Sequence, residues 1–444
     1  MEQIELKKIL SSAYSIEAWK PILTMLFGNK IEYLAKSRSI TEERIKNGGH
    51  IGNIRLDDGK NIAIFDMEVA DSINIRKNRK GLRDIAADYI DQALTHAALV
   101  FYHSSSQADY RLTYIAKQTY FTPEGEFVAK ETAPKRYTFL LGKNESCTTA
   151  AIRMLELAEK RKRGTIYLVD VTDTFSVEKL NDDFFNRYKK FYREFCLYII
   201  DNENCRNSIF DIEPKEELNH KLNKPIRDFV KKMMGRIVFL HFLQKKGWMG
   251  CSPNTLEWRD GDKEFMLNLF NGYQAKNHFY SKCLTELFFN TLNNNARGEE
   301  QIFQLTGTRV PYLNGGLFDE DLPKARNLDF SATLFGDFLN FFGEYNFTID
   351  ENSPEEQEVG IDPEMLGHIF ENLLEDNKDK GTFYTPKEIV YYMCKESLLH
   401  YLCSHTEDSL HPHLATLVRD HKLSDELQGN KNRASKIDNL LMGV

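Results

Sequence analysis

The stretch HIGNIRLDDGKNIAIFDMEVA, residues 50–70, decides how the first part of this chain folds. Two β-rich runs, HIGNIRL and NIAIFDMEVA, flank Asp57-Asp58-Gly59, and Asp-Gly between such runs signals a hairpin. Side chains alternate along a strand. Asp66 and Glu68 therefore share one face, and Phe65, Met67 and Val69 take the other. Two carboxylates on one face can hold a cation together. The same pattern also describes an ordinary solvent face, and Asp57-Asp58-Gly59 can be a turn and nothing more.

Working outward, residues 5–26 are apolar at helical spacing, with Leu6, Leu10, Tyr14, Trp19, Ile22 and Leu26 on the expected buried side. After the hairpin the pattern predicts a charged helix over 79–95. The run AALVFYH (97–103) suits a buried strand, and YRLTYIAKQ and KRYTFLLG read as further strands. Beyond KRKR (Lys160–Arg163) comes one more apolar piece, TIYLVDV. The pattern then turns helical. Phe184, Tyr188, Phe191 or Tyr192, and Phe195 recur at three- and four-residue spacing. A second long helix is expected over 226–248, stopped by Gly247, with further helical segments in KEFMLNLF, CLTELFFNTLN and ATLFGDFLNFFGEYNF. TIDENSPEEQEVGIDPE reads as a surface segment or linker. Asp362-Pro363 marks a helix start, with EMLGHIFENLLE burying Leu366, Ile369, Phe370, Leu373 and Leu374.

Composition narrows the class. The chain has 444 residues, 41% hydrophobic and 28% charged, and a net charge of −8. That is a globular composition with length for about three domains. No apolar run reaches the roughly 18 residues needed to cross a bilayer. The sequence MEQIELKKIL carries no secretory signal, so a cytoplasmic location is expected. Seven scattered cysteines with no C-x-x-C pair argue against a disulfide framework or a zinc ribbon. The histidines have no metal-ligand spacing. Two basic clusters, RKNRKGLR (Arg76–Arg83) and KRKR, read first as solvated faces.

Near the end lies GTFYTPKEIVYYMCKESLLHYL, Gly381–Leu402. Gly381 allows a tight loop. Thr385 and Pro386 stand at a helix mouth, and the helix puts Val390, Cys394, Leu398 and Leu402 on one stripe. A helix N-terminus suits a carboxylate. By spacing alone the stretch reads first as a well-capped helix with an aromatic packed beneath it.

LGHIFENLL followed by GTFYTPKEIVYYMC resembles the amino-terminal edge of the N6-adenine DNA methyltransferase domain of type I and type IIG restriction–modification enzymes. RIVFLHFLQKKGW (236–248) and VPYLNGGLFD (310–319) look like the helical connector of single-chain type IIG enzymes. The first 160 residues look like their amino-terminal region, which usually holds a nuclease. The resemblance implies an α+β, multi-domain chain. Residues 1–165 would form an α/β PD-(D/E)xK-like nuclease domain, and 166–350 a mainly helical connector. Residues 351–444 would hold the first helices of a class I methyltransferase. It further implies that Gly381, Phe383, Tyr384, Thr385 and Pro386 wrap S-adenosylmethionine.

The departures are specific. D-P-A-x-G-S-G and N-P-P-(Y/F), which in that family hold the cofactor and grip a flipped adenine, occur nowhere in the sequence. The expectation is an amino-terminal portion with negligible affinity of its own for S-adenosylmethionine. The intact bacterial enzyme would methylate double-stranded DNA in phage defence. The alternative is a non-catalytic half that binds DNA or a partner, completed by a separate methyltransferase chain with its own target-recognition domain.

For the nuclease, Asp58 and Glu68 have nine residues between them, as in D-x9-E-x-K, and with Asp66 they are the candidate Mg²⁺ ligands. Ala70 stands where the Lys belongs. Lys77 or Lys80 is the expected migrated cation, Lys80 being the catalytic candidate. Gln92 is placed as nucleases sometimes place it. Arg76, Lys77, Arg79, Lys80 and Arg83 are the candidate DNA contacts.

Overall fold

In a computed structural model, the described residues are 1–40, 44–75, 95–116, 120–121, 127–128, 135–212, 223–255, 257–258, 260–298, 300–313, 316–348, 356–365, 367, 369, 385 and 387–420. The chain divides into two compact units, Met1–Leu373 and Leu374–Val444.

In the first unit the expected single helix over 5–26 is two. Helix α1 is Gln3–Leu10 and α2 is Ile16–Phe27, with Ser11–Ser15 between them. Their apolar sides bury Leu6, Leu10, Trp19, Ile22 and Leu26, as the spacing predicts. Gly28, at φ +63, ends α2.

The sheet that follows has seven strands in the order β1-β2-β3-β4-β5-β8-β11. The strands are β1 (Ile31–Ser39), β2 (Ile45–Arg55), β3 (Asn61–Val69), β4 (Ala97–His103), β5 (Asp109–Ala116), β8 (Lys135–Gly142) and β11 (Glu356–Glu358). Outside it, the short segments β6 (Tyr120–Phe121) and β7 (Phe127–Val128) pair with each other, and so do β9 (Ile302–Phe303) and β10 (Thr308–Arg309). The quoted stretch is the β2–β3 hairpin, with Gly59 at φ +75 in its turn.

Strand β4 runs parallel to β3. A parallel neighbour needs a crossover of a dozen or more residues, and 70–96 supply it. The helix expected over 79–95 falls largely outside the described residues. Two strands of the seven-stranded sheet have no counterpart in the sequence reading. One is β1. The other is β11, which adds the supposed acidic linker to the sheet parallel to β8.

Each face of β3 serves a different core. Ile62 and Ile64 pack with α1, α2 and the helices beyond, in the main cluster. Ala63, Phe65, Met67 and Val69 pack in a second cluster with Val100, Tyr102 and Ile115. Asp66 and Glu68 therefore lie on the α1–α2 side.

After β8 come α3 (Thr148–Arg163), α4 (Leu168–Phe175), α5 (Val177–Asp201), α6 (Glu203–Phe210), α7 (Lys224–Lys245), α8 (Phe265–Gly272) and α9 (Ala332–Gly343). The segment expected over CLTELFFNTLN is π-helical at Phe279–Leu284 and Glu286–Leu292. The aromatic spacing in α5 does what it predicts: Phe184, Tyr188, Tyr192 and Phe195 are buried. Phe184 stacks on Phe341 of α9, and Tyr188 and Phe195 meet Phe338 of the same helix tilted and edge-on. Asp362 caps the next helical turn, its Oδ1 accepting from the Glu364 N–H at 3.1 Å.

The first compact unit, Met1–Leu373, contains both the expected α/β part and the expected helical part. One apolar cluster runs from Leu6 to Ile369 and joins the α/β and helical parts through α3, α4 and α5.

In the second unit, α10 (Lys387–Ser404) and α11 (His411–Asp420) close on Leu399, Leu402, Leu410, Leu414 and Val418. The expected stripe along α10 is only partly buried. Leu402 is 1% exposed, whereas Val390, Cys394 and Leu398 face solvent with Ile389, Tyr392 and Met393. No helix among the described residues is long and apolar enough to cross a membrane.

Candidate functional site

The hairpin carries acids at both ends, and the two ends differ in what the acids touch. At the turn, Asp57 Oδ2 accepts from the Ile166 N–H at 2.6 Å and Asp57 Oδ1 pairs with Lys30. The Lys30 hydrogen bond, ahead of the backbone bond, holds the Asp57 carboxyl below the usual carboxylate range. Asp58 Oδ2 accepts from the Leu168 N–H at 3.1 Å, at the start of α4. These two acids tie the turn to the segment after α3.

Asp58 therefore does not join Asp66 and Glu68. From Asn61 to Asp66 is five strand steps, roughly 17 Å at 3.3 Å per residue, and the turn lies farther still. Among the described residues no three His, Cys, Asp or Glu side chains gather into a metal-binding group. The expected three-carboxylate set is thus a pair. A pair still suits Mg²⁺, which takes one or two carboxylates together with substrate phosphate and water.

At the open end Asp66 and Glu68 meet side chains. Tyr14, in the break between α1 and α2, donates its hydroxyl to Asp66 Oδ1 at 2.9 Å. His103, at the end of β4, lies 2.8 Å from the same oxygen through Nε2. A carboxylate only accepts, so Nε2 carries the proton. The Tyr14 and His103 rings stack with centroids 4.2 Å apart. Burial first, and then the Asp66 charge, push the Tyr14 hydroxyl far above its ordinary range, so it stays a donor. Ser105 donates to Glu68 Oε1 at 3.1 Å.

Sequence reasoning missed Tyr14, His103 and Ser105. Local pattern shows that a helix break or a strand end exists, and gives no sign of which acid it will meet.

The register explains what surrounds the pair. Asp66 pairs with Gly49 and Glu68 with Asn47 across the antiparallel ladder, and the register shifts between Ile45 and Asn47. Lys46 sits in that bulge, which re-aims its side chain. Its Nζ lies 3.7 Å from Glu68 Oε1 and 3.6 Å from Asp71 Oδ2. The cation beside the acids is thus on the neighbouring strand. Opposite Asp66 the chain is bare. A Cβ on Gly49 would stand 2.1 Å from the Arg38 carbonyl oxygen, and one on Gly48 2.3 Å from that of Asp66. Only glycine fits at either position, because the backbones of β1 and β3 approach closely there.

The remaining expected site residues divide as follows. Arg76, Lys77, Arg79, Lys80, Arg83 and Gln92 lie outside the described residues, as do Gly381, Phe383, Tyr384 and Pro386. Thr385 is exposed, two residues before α10 begins. In the KRKR cluster Lys160 pairs with Asp170 and Lys162 with Glu159. This is the solvated face its composition suggests.

Over 184 residues, 39% of its length, the chain is 27% identical to a Methanocaldococcus jannaschii protein provisionally named a type II restriction enzyme and methyltransferase. The matched stretch is 14% of that relative's length. No family model and no solved structure matches.

Proposed function

We propose that this chain is the amino-terminal portion of a type IIG-like restriction–modification enzyme acting on double-stranded DNA. The observation that carries the reading is the 184-residue likeness to the Methanocaldococcus jannaschii protein with that provisional name. The hairpin acids, and the cofactor-lid pattern of Gly381–Leu402, support it. In this reading residues 1–165 are the PD-(D/E)xK-like part and 166–350 the connector. Residues 351–444 begin the methyltransferase. N6-adenine methylation from S-adenosylmethionine belongs to the intact enzyme, through D-P-A-x-G-S-G and N-P-P segments that these residues lack. The exposed apolar half of α10 is what a helix of a larger core presents.

For cleavage, Asp66 and Glu68 would hold Mg²⁺, which when bound supplies an activated water and charge stabilisation at the leaving oxygen. Tyr14 and His103 fix the Asp66 carboxylate, and Ser105 fixes that of Glu68. Lys46 brings positive charge to the DNA phosphate, the role for which Ala70 has no side chain.

A second reading, a non-catalytic DNA- or partner-binding half, is favoured by the separation of Asp58 from the pair and by the bonds already made to Asp66. The 444-residue chain incubated with supercoiled plasmid and Mg²⁺ or Mn²⁺ separates the two. Nicking lost in Glu68→Gln supports the nuclease. Duplex binding without nicking supports the second reading. Absence of duplex binding overturns the proposal that this portion acts on DNA.

A further inference from the structure

A cleft of about 370 Å³ opens among the C-terminal half of α7, the loop after β8, the start of α8 and the end of α9. Hairpin acids take no part in it. His241, Gln244 and Lys245 line it from α7 at i, i+3 and i+4, so they share one helix face.

His241 is 4% exposed. Its Nδ1 lies 2.8 Å from the Ile237 carbonyl oxygen, which can only accept, so Nδ1 holds the proton. Burial lowers the ring's pKa to about 4, against the raising effect of that backbone bond, so the imidazole is neutral near pH 7. Nε2 is then a bare acceptor, and among the described residues no protein donor meets it.

Gln244 Oε1 accepts from the Met266 N–H at 3.0 Å, which fixes the amide. Its N–H groups meet no protein acceptor among the described residues. Lys245 Nζ lies 2.5 Å from Glu145 and 3.2 Å from Asn346 Oδ1. That positive charge is already answered, and Lys143 and Lys263 on the same lining are matched by Asp262 and Glu264, so the cleft favours a neutral ligand over an anion. Phe342 and Phe347, with ring centroids 4.2 and 5.5 Å from that of His241, pack on the imidazole and fix its plane.

We propose that this cleft binds a neutral nucleobase. The base would donate an N–H to His241 Nε2 and offer its neighbouring acceptor to the Gln244 amide, in the part of the cleft lined by Leu267 and Leu339. Adjacent donor and acceptor on a flat ring is what a base edge presents. The inference does not depend on the restriction–modification reading.

The test titrates the four deoxynucleosides into the 444-residue chain, followed by calorimetry and saturation-transfer NMR. At least one should bind, with phenol, a flat ring that lacks the paired edge, binding at least tenfold more weakly. His241→Phe keeps the ring packing and removes the acceptor. Gln244→Glu keeps the oxygen that serves Met266 and removes the amide donors. Each should weaken the nucleoside at least tenfold, and if one variant fails to fold the other decides. No nucleoside binding at millimolar concentration, phenol binding as well as the nucleoside, or a folded variant binding like the wild type would each overturn the proposal.

Discussion

The two ends of β3 carry the same chemistry to different uses. At the turn, Asp57 and Asp58 are consumed by backbone N–H groups of residues 166 and 168. At the open end, Asp66 and Glu68 are met by Tyr14, His103, Ser105 and Lys46, all through side chains. An acid that satisfies a backbone donor is part of the fold, because that donor has no other partner to take. An acid held by side chains can exchange a partner for a ligand.

The largest expected effect tests that difference directly. Glu68→Gln should reduce metal-dependent plasmid nicking by about 100-fold or more, while Asp58→Asn stays within about twofold. Equal losses at both ends would erase the distinction. Next come stabilities, read by urea unfolding. Asp66→Ala leaves the Tyr14 hydroxyl without its acceptor and should cost about 1–3 kcal/mol. Asp58→Ala removes a cap from α4 and should cost about 1 kcal/mol. A double-mutant cycle of Tyr14→Phe with Asp66→Asn should return a coupling of about 0.5–1.5 kcal/mol.

Smaller still is the effect of Lys46→Ala on folding, within about 0.5 kcal/mol for so exposed a pair. Its signature is instead in duplex binding, where the slope of log K against log salt should fall in magnitude by about one. An unchanged slope would remove Lys46 from the phosphate. The smallest effect is acid-dependent and belongs to the turn. Asp57 has its carboxyl pKa lowered from 3.8 by Lys30. Its tie therefore stabilises the fold above 3.8 and is lost as pH falls through its lower folded-state value. A carboxyl carbon NMR titration should show Asp57 protonating below 3.8.

Legibility followed the range of the interaction. The hairpin, its turn and the opposite faces of Asp66 and Met67 were readable because each rests on neighbours in sequence. So were the aromatic positions of α5 and the Asp362 cap. The break at Ser11–Ser15 was not, since Leu10, Tyr14 and Trp19 keep an almost unbroken helical spacing across it. Strand β11 was hidden because three acidic and amide residues carry no β pattern, and only pairing with β8 makes them a strand. The α10 stripe was over-read: helical spacing shows which side is apolar and gives no measure of what covers it.

The sequence by itself determined the hairpin, the long helices and the two acids that share a face, because alternation, helical period and turn chemistry are local. Only the tertiary structure decided that Asp58 leaves the pair and that Lys46, Tyr14 and His103 join it. A strand end acquires its neighbours from register, bulge and helix packing. These are set by segments between 22 and 110 residues away, along which no local spacing rule reaches.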